Sequence, residues 1–270
     1  MQQKIVVTKN LKLPDDLRGR LEKLGSVTYY SNPPKTLEEW LDRCKNADII
    51  CSGIFGLDSA KLYELKDVFI SLPFVGVEFL DRSRMKERNI IVANAPGCNK
   101  EAVAEWNIAM LLYVFRKLSD FTRIEGRPLS ETLKSSPGLY GKKITILGAG
   151  HIGSQLGKIC ECLGMYVMFF HRGDDLKKSV QDADIIAHCL SVTTESVGLL
   201  DRDFFFSLKR GAFFISSSRP QTYDVAALKE ALDADILIGA ADDAAGAYVG
   251  DTNDQQYKEL FAHPKILVTP

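Results

Sequence analysis

One short segment, Gly148–Gly153, constrains the fold more than any other part of the sequence. It reads Gly-Ala-Gly-His-Ile-Gly and directly follows the apolar run Lys143–Leu147, which predicts a strand. The residues after it, Ile152–Leu163, have the apolar spacing of a helix. The glycines permit a tight turn, close approach of the backbone to a ligand and close packing of the helix on the strand. The segment therefore predicts a strand–turn–helix unit of the kind found in parallel sheets.

Short apolar strands alternate with helical patterns on both sides of this unit. Such alternation predicts parallel sheets with helices on both faces. The segment Asn94–Gly97 interrupts the alternation, and one long helix is predicted from Lys100 to about Leu118. The predicted fold class is therefore α/β, with two parallel-sheet domains, 1–97 and 98–270.

The glycine pattern, placed between a strand and a helix, is typical of a site for the pyrophosphate of a dinucleotide. The first turn of such a helix presents free N–H donors and the positive end of the helix dipole. A chance glycine cluster at an ordinary turn is the alternative. The predicted contacts to the dinucleotide in this segment are Gly148, Gly150, His151, Ile152 and Gly153.

The end of the next predicted strand, 166–170, carries His171 and Arg172. In an NAD site this place usually holds a carboxylate that accepts hydrogen bonds from the ribose 2′-hydroxyl. His171 and Arg172 cannot accept in that way, but a guanidinium group can bind the 2′-phosphate of NADP. The sequence therefore favours NADP over NAD. NAD remains the alternative coenzyme, because Asp174 and Asp175 could bind its ribose if the loop folds back.

Charge and cysteine content argue against several classes of protein. Lys and Arg number 34 against 35 Asp and Glu, so no basic excess is available for a nucleic-acid partner. The longest apolar run, Ile108–Phe115, is too short to span a bilayer, and no secretory signal follows the first residues. The six cysteines form no C-x-x-C pair, which predicts free thiols and no metal site. We expect a cytoplasmic protein without a membrane partner.

Several further segments resemble, in order and spacing, the D-isomer-specific 2-hydroxyacid dehydrogenase family, particularly its glyoxylate or hydroxypyruvate reductases. Ile90–Trp106 is similar to the hinge and interdomain helix of that family, and His263–Pro270 to the run before its catalytic histidine. The resemblance implies hydride transfer between C4 of the nicotinamide and C2 of a small D-2-hydroxy acid or 2-keto acid. It also implies that 1–97 is the substrate (catalytic) domain, flavodoxin-like, and that 98–270 is the dinucleotide-binding Rossmann domain.

The resemblance implies roles for residues near the strand ends. Gly211–Arg219 is similar to the segment that carries the substrate-binding arginine, so Arg219 is the predicted catalytic residue. Leu190–Ser196 lies where the family lines the nicotinamide, although Ser191 replaces its usual proline. Val75–Glu78 is similar to the loop whose backbone N–H groups hold the substrate carboxylate. The residues implied are Gly76 and Val77 for the substrate, and Leu190, Ser191, Thr194, Ser218 and Asp243 for the cofactor.

At the proton shuttle the sequence departs from the family pattern. The family pairs a histidine with a glutamate that orients it and raises its pKa. The glutamate position falls on Tyr248, with Asp251 or Asp254 as replacements if the loop is rearranged, and the histidine would follow Pro270. Either the sequence ends before the true C-terminus, or this is a shortened homologue without the shuttle.

Two functions follow from these alternatives. The first is a reductase of small 2-keto acids that uses NADP(H) or NAD(H), with its active site in the cleft between the halves. The second is a catalytically impaired homologue that still binds a dinucleotide. A third, a Rossmann oxidoreductase with another acid–base pair, would need a Tyr-x-x-x-Lys or similar motif, and none is well placed. The helix Trp106–Phe115, apolar except for Asn107, predicts a homodimer.

Overall fold

The computed structural model describes residues 2–116, 118, 138–243 and 255–269. Backbone contacts divide the chain into two compact units, Met1–Cys98 and Asn99–Pro270. Each unit contains one parallel sheet with helices in its connections. The predicted α/β class with two parallel-sheet domains is therefore confirmed.

The first unit contains a five-stranded sheet in the order β2-β1-β3-β4-β5, which is the flavodoxin-type order. The strands are β1 (Gln3–Val7), β2 (Gly25–Tyr29), β3 (Ile49–Cys51), β4 (Val68–Ser71) and β5 (Ile90–Ala93). The connections contain α1 (Asp15–Glu22), α2 (Leu37–Cys44), a 3-10 helix (Ala60–Glu64) and α3 (Arg82–Glu87). Helix α2 begins after Thr36, whose side chain accepts a hydrogen bond from the backbone N–H of Glu39, and it buries Trp40 in the core.

The second unit contains a six-stranded sheet in the order β11-β10-β9-β8-β6-β7. Its strands are β6 (Lys143–Leu147), β7 (Tyr166–Phe170), β8 (Ile185–His188), β9 (Ala212–Ser216), β10 (Leu237–Asp243) and β11 (Ile266–Thr269). Its helices are α4 (Lys100–Phe115), α5 (His151–Cys162), α6 (Leu176–Val180), α7 (Arg202–Phe206), α8 (Val225–Asp233) and α9 (Gln255–Phe261), with a 3-10 helix at Pro220–Thr222.

The second sheet is buried on both faces. Every residue of β9 is buried, and alternate side chains enter different clusters: Phe214 packs on one side, and Phe213 and Ile215 on the other. This pattern is typical of a parallel strand between two layers of helices, and it explains why the strand is a continuous apolar run. The strand ends are therefore held on a rigid base.

Helix α4 buries Asn107, the one polar residue in the stretch Trp106–Phe115. Asn107 is buried, together with Ala104, Leu111 and Phe115, and its side-chain amide donates to the carbonyl of Val103 at 2.8 Å. A polar side chain can be buried there because it bonds the backbone of its own helix. Among the described residues, no helix is both long enough and apolar enough to cross a membrane.

Some elements were not predicted or were predicted with different bounds. The short helices α6 and α9, of five and seven residues, were not predicted, because one or two helical turns show little periodicity. Strand β10 continues beyond its apolar start through small residues to Asp242 and Asp243. Small and acidic residues are poor strand formers, and here the neighbouring strands β9 and β11 supply the pairing that extends β10.

Candidate active site

The carboxyl ends of the parallel strands lie along one edge of the second sheet, and the strand order reverses beside β6. Ligands of open α/β sheets bind at such a switch point. We call the ends of β6 and β7, with the turn Gly148–Gly153 and residues His171 and Arg172, the dinucleotide edge. We call the ends of β8, β9 and β10, with His188, Arg219 and Asp243, the arginine edge.

The glycines of the dinucleotide edge are required for different reasons. Gly148 has a φ of +102°, which disfavours any other residue. A Cβ on Gly153 would lie 2.0 Å from the carbonyl oxygen of Gly148, so helix α5 contacts the turn directly. A Cβ on Gly150 would meet no atom within 4 Å. Gly150 therefore borders open space, whereas Gly148 and Gly153 shape the turn.

Helix α5 begins at this open space without help from a side chain. Gly150 occupies its N-cap, and no side chain hydrogen-bonds there. The first residue of the helix, His151, is exposed, and Ile152 is half-buried. A helix N-terminus without a side-chain cap has N–H groups available to an anion. The residues present therefore fit a dinucleotide pyrophosphate, as the sequence predicted.

The end of β7, where the ribose is predicted to bind, carries both a basic side chain, Arg172, and an acidic one, Asp174. Arg172 is 80% exposed and pairs with Glu195 of the loop after β8, with 2.5 Å between Nη2 and Oε2. The carboxylate of Asp174 accepts a hydrogen bond from the backbone N–H of His171 at 2.7 Å. The loop therefore does fold back, and it brings one carboxylate close to the end of β7. Asp175 instead caps helix α6.

The loop after β8 is held by its own hydroxyl groups. The backbone N–H of Thr193 donates to the Ser196 hydroxyl at 2.8 Å, and that hydroxyl donates to the carbonyl of Ser191 at 2.7 Å. The hydroxyl of Ser218 donates to the carbonyl of Leu190, which joins this loop to the end of β9. Thr194 is exposed on this loop. The predicted nicotinamide residues Leu190, Ser191 and Ser218 therefore lie together.

Arg219 follows β9 at the same edge. It is half-buried and stands immediately before the 3-10 helix Pro220–Thr222. Its carbonyl oxygen accepts hydrogen bonds from the backbone N–H of Thr222 at 3.1 Å and from the Thr222 hydroxyl at 2.6 Å. The backbone of the predicted substrate-binding arginine is thus fixed by a neighbouring turn.

The two adjacent aspartates at the end of β10 differ in environment. Asp242 is buried and accepts a hydrogen bond from the Tyr223 hydroxyl at 2.7 Å. Asp243 is half-buried and accepts one from the Thr269 hydroxyl at 3.0 Å. Successive side chains of a strand point to opposite faces, so only one of the pair enters the core beside Tyr223. Asp243 is left at the edge, where the sequence predicted it.

Buried titratable groups lie beneath this edge. Burial lowers the pKa of His188 to about 3 and, against a hydrogen bond from Ser217, raises the pKa of the neighbouring Cys189 thiol to about 11. Both side chains are therefore uncharged at neutral pH. The sequence assigned no role to His188, Cys189, Thr222 or Tyr223, because none of them belongs to a motif. Glu195 lies in the segment Leu190–Ser196, but its pairing with Arg172 was not predicted.

The predicted substrate loop belongs to the first unit and follows β4. The side-chain amide of Asn94 donates to the carbonyl of Val75 at 2.7 Å. The backbone N–H of Leu80 donates to the carbonyl of Val77 at 3.2 Å. Gly76 and Val77 are both half-buried. The Asn94 bond joins the loop to the residue after β5, and the Leu80 bond lies within the loop segment itself. The role of the loop in substrate binding stays a prediction.

Other predicted positions lie outside the described residues. These are Tyr248, Asp251, Asp254 and Pro270. Among the residues that are described, no group of three or more His, Cys, Asp or Glu side chains is arranged to hold a metal ion.

A parallel sheet with a glycine turn at its switch point and an uncapped helix behind it defines an α/β protein of the dinucleotide-binding class. Residues 108–270 match the family model described as D-isomer specific 2-hydroxyacid dehydrogenase, NAD binding domain. The chain belongs to the D-isomer specific 2-hydroxyacid dehydrogenase family, which consists of NAD-binding oxidoreductases. The resemblance seen in the sequence is therefore confirmed.

Similar proteins agree with this assignment. The D-lactate dehydrogenase of Staphylococcus aureus (strain MRSA252) is 26% identical over 257 residues, covering 85% of this chain and 78% of that protein. The TT0316 protein of Thermus thermophilus is 26% identical with a TM-score of 0.76, covering 99% of this chain and 88% of that one. An acyclic imino acid reductase in complex with NADPH and D-Arg shares the fold, with 21% identity, a TM-score of 0.80, and coverage of 99% and 89%.

Proposed function

We propose that this protein is an NAD(P)-dependent oxidoreductase that interconverts a small 2-keto acid and the corresponding D-2-hydroxy acid. The observation that carries the proposal is the shared edge of the second sheet. There, the uncapped helix α5 follows β6, Arg219 follows β9, and Asp243 is the last residue of β10 in the same sheet. The similarity to a D-lactate dehydrogenase supports the same substrate class.

Arg219 and Asp243 of the arginine edge each have a chemical role in this proposal. The guanidinium of Arg219 binds the substrate carboxylate and polarises the adjacent carbonyl. The carboxylate of Asp243, oriented by Thr269, accepts a hydrogen bond from the carboxamide and sets the face of the nicotinamide ring. The nicotinamide, when bound, supplies or accepts the hydride. Backbone N–H groups at Gly76 and Val77 also hold the substrate carboxylate.

The test is oxidation of NADPH or NADH on addition of glyoxylate, hydroxypyruvate or pyruvate. Gly150→Asp places a carboxylate in the open space before helix α5, where no atom obstructs it and where aspartate is a good N-cap. We expect the variant to fold and to bind coenzyme about 100-fold more weakly, because it repels the pyrophosphate and occupies its place. Gly19→Asp in α1 adds the same charge in similarly open space and is the matched control.

Two results would contradict the proposal. Full-length protein that turns over none of these acids would exclude the reductase, and coenzyme binding without turnover would favour the impaired homologue. Equal loss of binding in Gly150→Asp and Gly19→Asp would show that the turn is not the coenzyme site.

We further propose a preference for NADP. Arg172 is exposed at the ribose end, and its pair with Glu195 is a surface ion pair that a phosphate dianion can displace. Arg172→Gln should weaken NADPH binding about tenfold and leave NADH binding nearly unchanged. If Asp174 instead binds the ribose hydroxyl, Asp174→Asn will weaken NADH binding and Arg172→Gln will affect neither coenzyme.

A homodimer and a cytoplasmic location complete the proposal. Helix α4 has half-buried apolar side chains at Trp106, Ile108 and Leu112, which a second copy could cover. All six cysteines are free, as expected in a reducing compartment. Sedimentation equilibrium at micromolar concentration tests the dimer, and a stable monomer would exclude it. Fractionation of the cells that produce the protein tests its location.

A further inference from the structure

His188 belongs to the apolar strand β8 and has no part in the proposed reaction. It is the last residue of β8 and is completely buried. Its ring stacks on Phe214, with 5.9 Å between the ring centroids and 26° between the planes, and meets the edge of Tyr223 at 6.0 Å. A polar ring held among aromatic side chains must have both nitrogens satisfied.

Both nitrogens of the imidazole have hydroxyl partners. Nδ1 lies 3.2 Å from the Ser216 hydroxyl at the end of β9, and Nε2 lies 3.0 Å from the Thr222 hydroxyl in the 3-10 helix after Arg219. The backbone N–H of Ser217 also donates to the carbonyl of His188 at 3.0 Å. The imidazole therefore connects β8 with both ends of the segment that carries Arg219.

Counting protons fixes the direction of these hydrogen bonds. The Thr222 hydroxyl has one proton and donates it to the carbonyl oxygen of Arg219 at 2.6 Å. It must therefore accept the bond from His188, so Nε2 carries the proton. Nδ1 of the neutral ring then accepts from the Ser216 hydroxyl. The result is one continuous chain of donors from Ser216 through His188 and Thr222 to Arg219.

We propose that His188 is a positioning residue, which holds Thr222 so that the Thr222 hydroxyl fixes the backbone of Arg219. The proposal rests on the proposed function, because it assumes that Arg219 binds the substrate. The neutral ring neither touches the substrate nor transfers a proton. It keeps the carbonyl of Arg219 turned toward the core, so that the guanidinium starts from one fixed backbone position.

Two hydroxyl deletions on the same ring separate this role from general stability. Thr222→Val removes the link to Arg219, whereas Ser216→Ala removes the other partner of the imidazole and leaves that link intact. We expect Thr222→Val to raise the KM for the 2-keto acid about tenfold, with coenzyme Kd changed by less than about twofold. Ser216→Ala should change both by less than about twofold. Similar KM values for the two variants would overturn the proposal.

Two substitutions of the histidine itself provide a rescue test. The amide of Gln reaches the place of Nε2, and the shorter amide of Asn reaches only the place of Nδ1. His188→Gln should therefore keep the KM within about threefold of the original value, whereas His188→Asn should behave like Thr222→Val. A KM that rises equally in both histidine variants would assign a purely structural role to the ring.

A measurement without substrate keeps the proposal separate from the proposed function. Hydrogen exchange of the peptide that covers 217–223 should be faster in Thr222→Val than in Ser216→Ala. Suppose that the unmodified protein turns over no 2-keto acid but the two variants differ in exchange as expected. The proposed function then fails, and the positioning of Arg219 by His188 is retained. Equal exchange in the two variants would reject the positioning role regardless of activity.

Discussion

The dinucleotide edge and the arginine edge belong to the same sheet but are built differently. At the dinucleotide edge, the proposed recognition groups are backbone N–H groups beside glycines and the exposed side chain of Arg172, which pairs with Glu195. At the arginine edge, a buried hydrogen-bonded cluster that includes His188 and Tyr223 lies beneath the residues at the surface.

The difference fits the ligand that we propose for each edge. A pyrophosphate is bound by a helix N-terminus, whose geometry is set once the backbone is folded. A substrate carboxylate is bound by the end of a long arginine side chain, which depends on where its backbone begins. We infer that a buried polar cluster is needed at the arginine edge and not at the dinucleotide edge.

The largest effect is expected from Gly153→Ala at the dinucleotide edge. The new Cβ would lie 2.0 Å from the carbonyl oxygen of Gly148, and a backbone atom cannot move aside as a flexible side chain can. We expect the free energy of unfolding to fall by about 3 kcal/mol or more. Gly150→Ala, which meets no atom within 4 Å, should cost little. Urea denaturation measures both, and equal stability would show that the close packing of helix and turn is not required.

The next effect tests the buried cluster of the arginine edge. Tyr223→Phe removes the hydroxyl that donates to the buried carboxylate of Asp242, which should lower the free energy of unfolding by about 2 kcal/mol. Tyr63→Phe removes a hydroxyl that accepts from the exposed backbone N–H of Asp81, so it should cost about 0.5 kcal/mol. Thermal or urea unfolding compares the two, and similar losses would show that burial adds nothing at this edge.

The buried imidazole should also make stability depend on pH. Burial lowers the pKa of His188 to about 3 from an ordinary value of 6.5, so below pH 6.5 the unfolded chain takes up a proton that the folded chain does not. Stability is therefore lost as the pH falls from about 6.5 toward about 3. Between pH 6 and pH 5 the loss due to this group should be about 1 kcal/mol. His188→Gln should lack this component, and identical pH slopes in the two proteins would contradict it.

The two edges also differ in how much of them the sequence predicted. The turn Gly148–Gly153 was located from the sequence alone, because glycines required by backbone geometry occur at fixed spacing after a strand. The fold class followed from the same alternation of apolar strands and helices. Arg219 and Asp243 were placed by resemblance to a family, and the structure puts both at strand ends, as expected.

The buried cluster could not be predicted in this way. Ser216, Thr222 and His188 are separated along the chain and meet only when β8 and β9 pair in register. Hydrogen bonds across strands leave no periodic pattern in a sequence, since their partners depend on tertiary structure. The pair of Arg172 and Glu195 was missed for the same reason, because the two residues follow different strands.

The smallest effect is expected from the exposed pair of Arg172 and Glu195. In the absence of a dinucleotide, Glu195 neutralises Arg172, and it would repel a nearby 2′-phosphate. Glu195→Gln should therefore tighten NADPH binding about threefold and leave NADH binding unchanged, since exposed ion pairs contribute little. Asp203→Asn, which removes the same charge from an exposed pair with Lys177, is the matched control and should alter neither coenzyme. Because screening weakens exposed charges, the gain for NADPH should shrink at high salt, and an equal gain for NADH would show that Glu195 does not act on the 2′-phosphate.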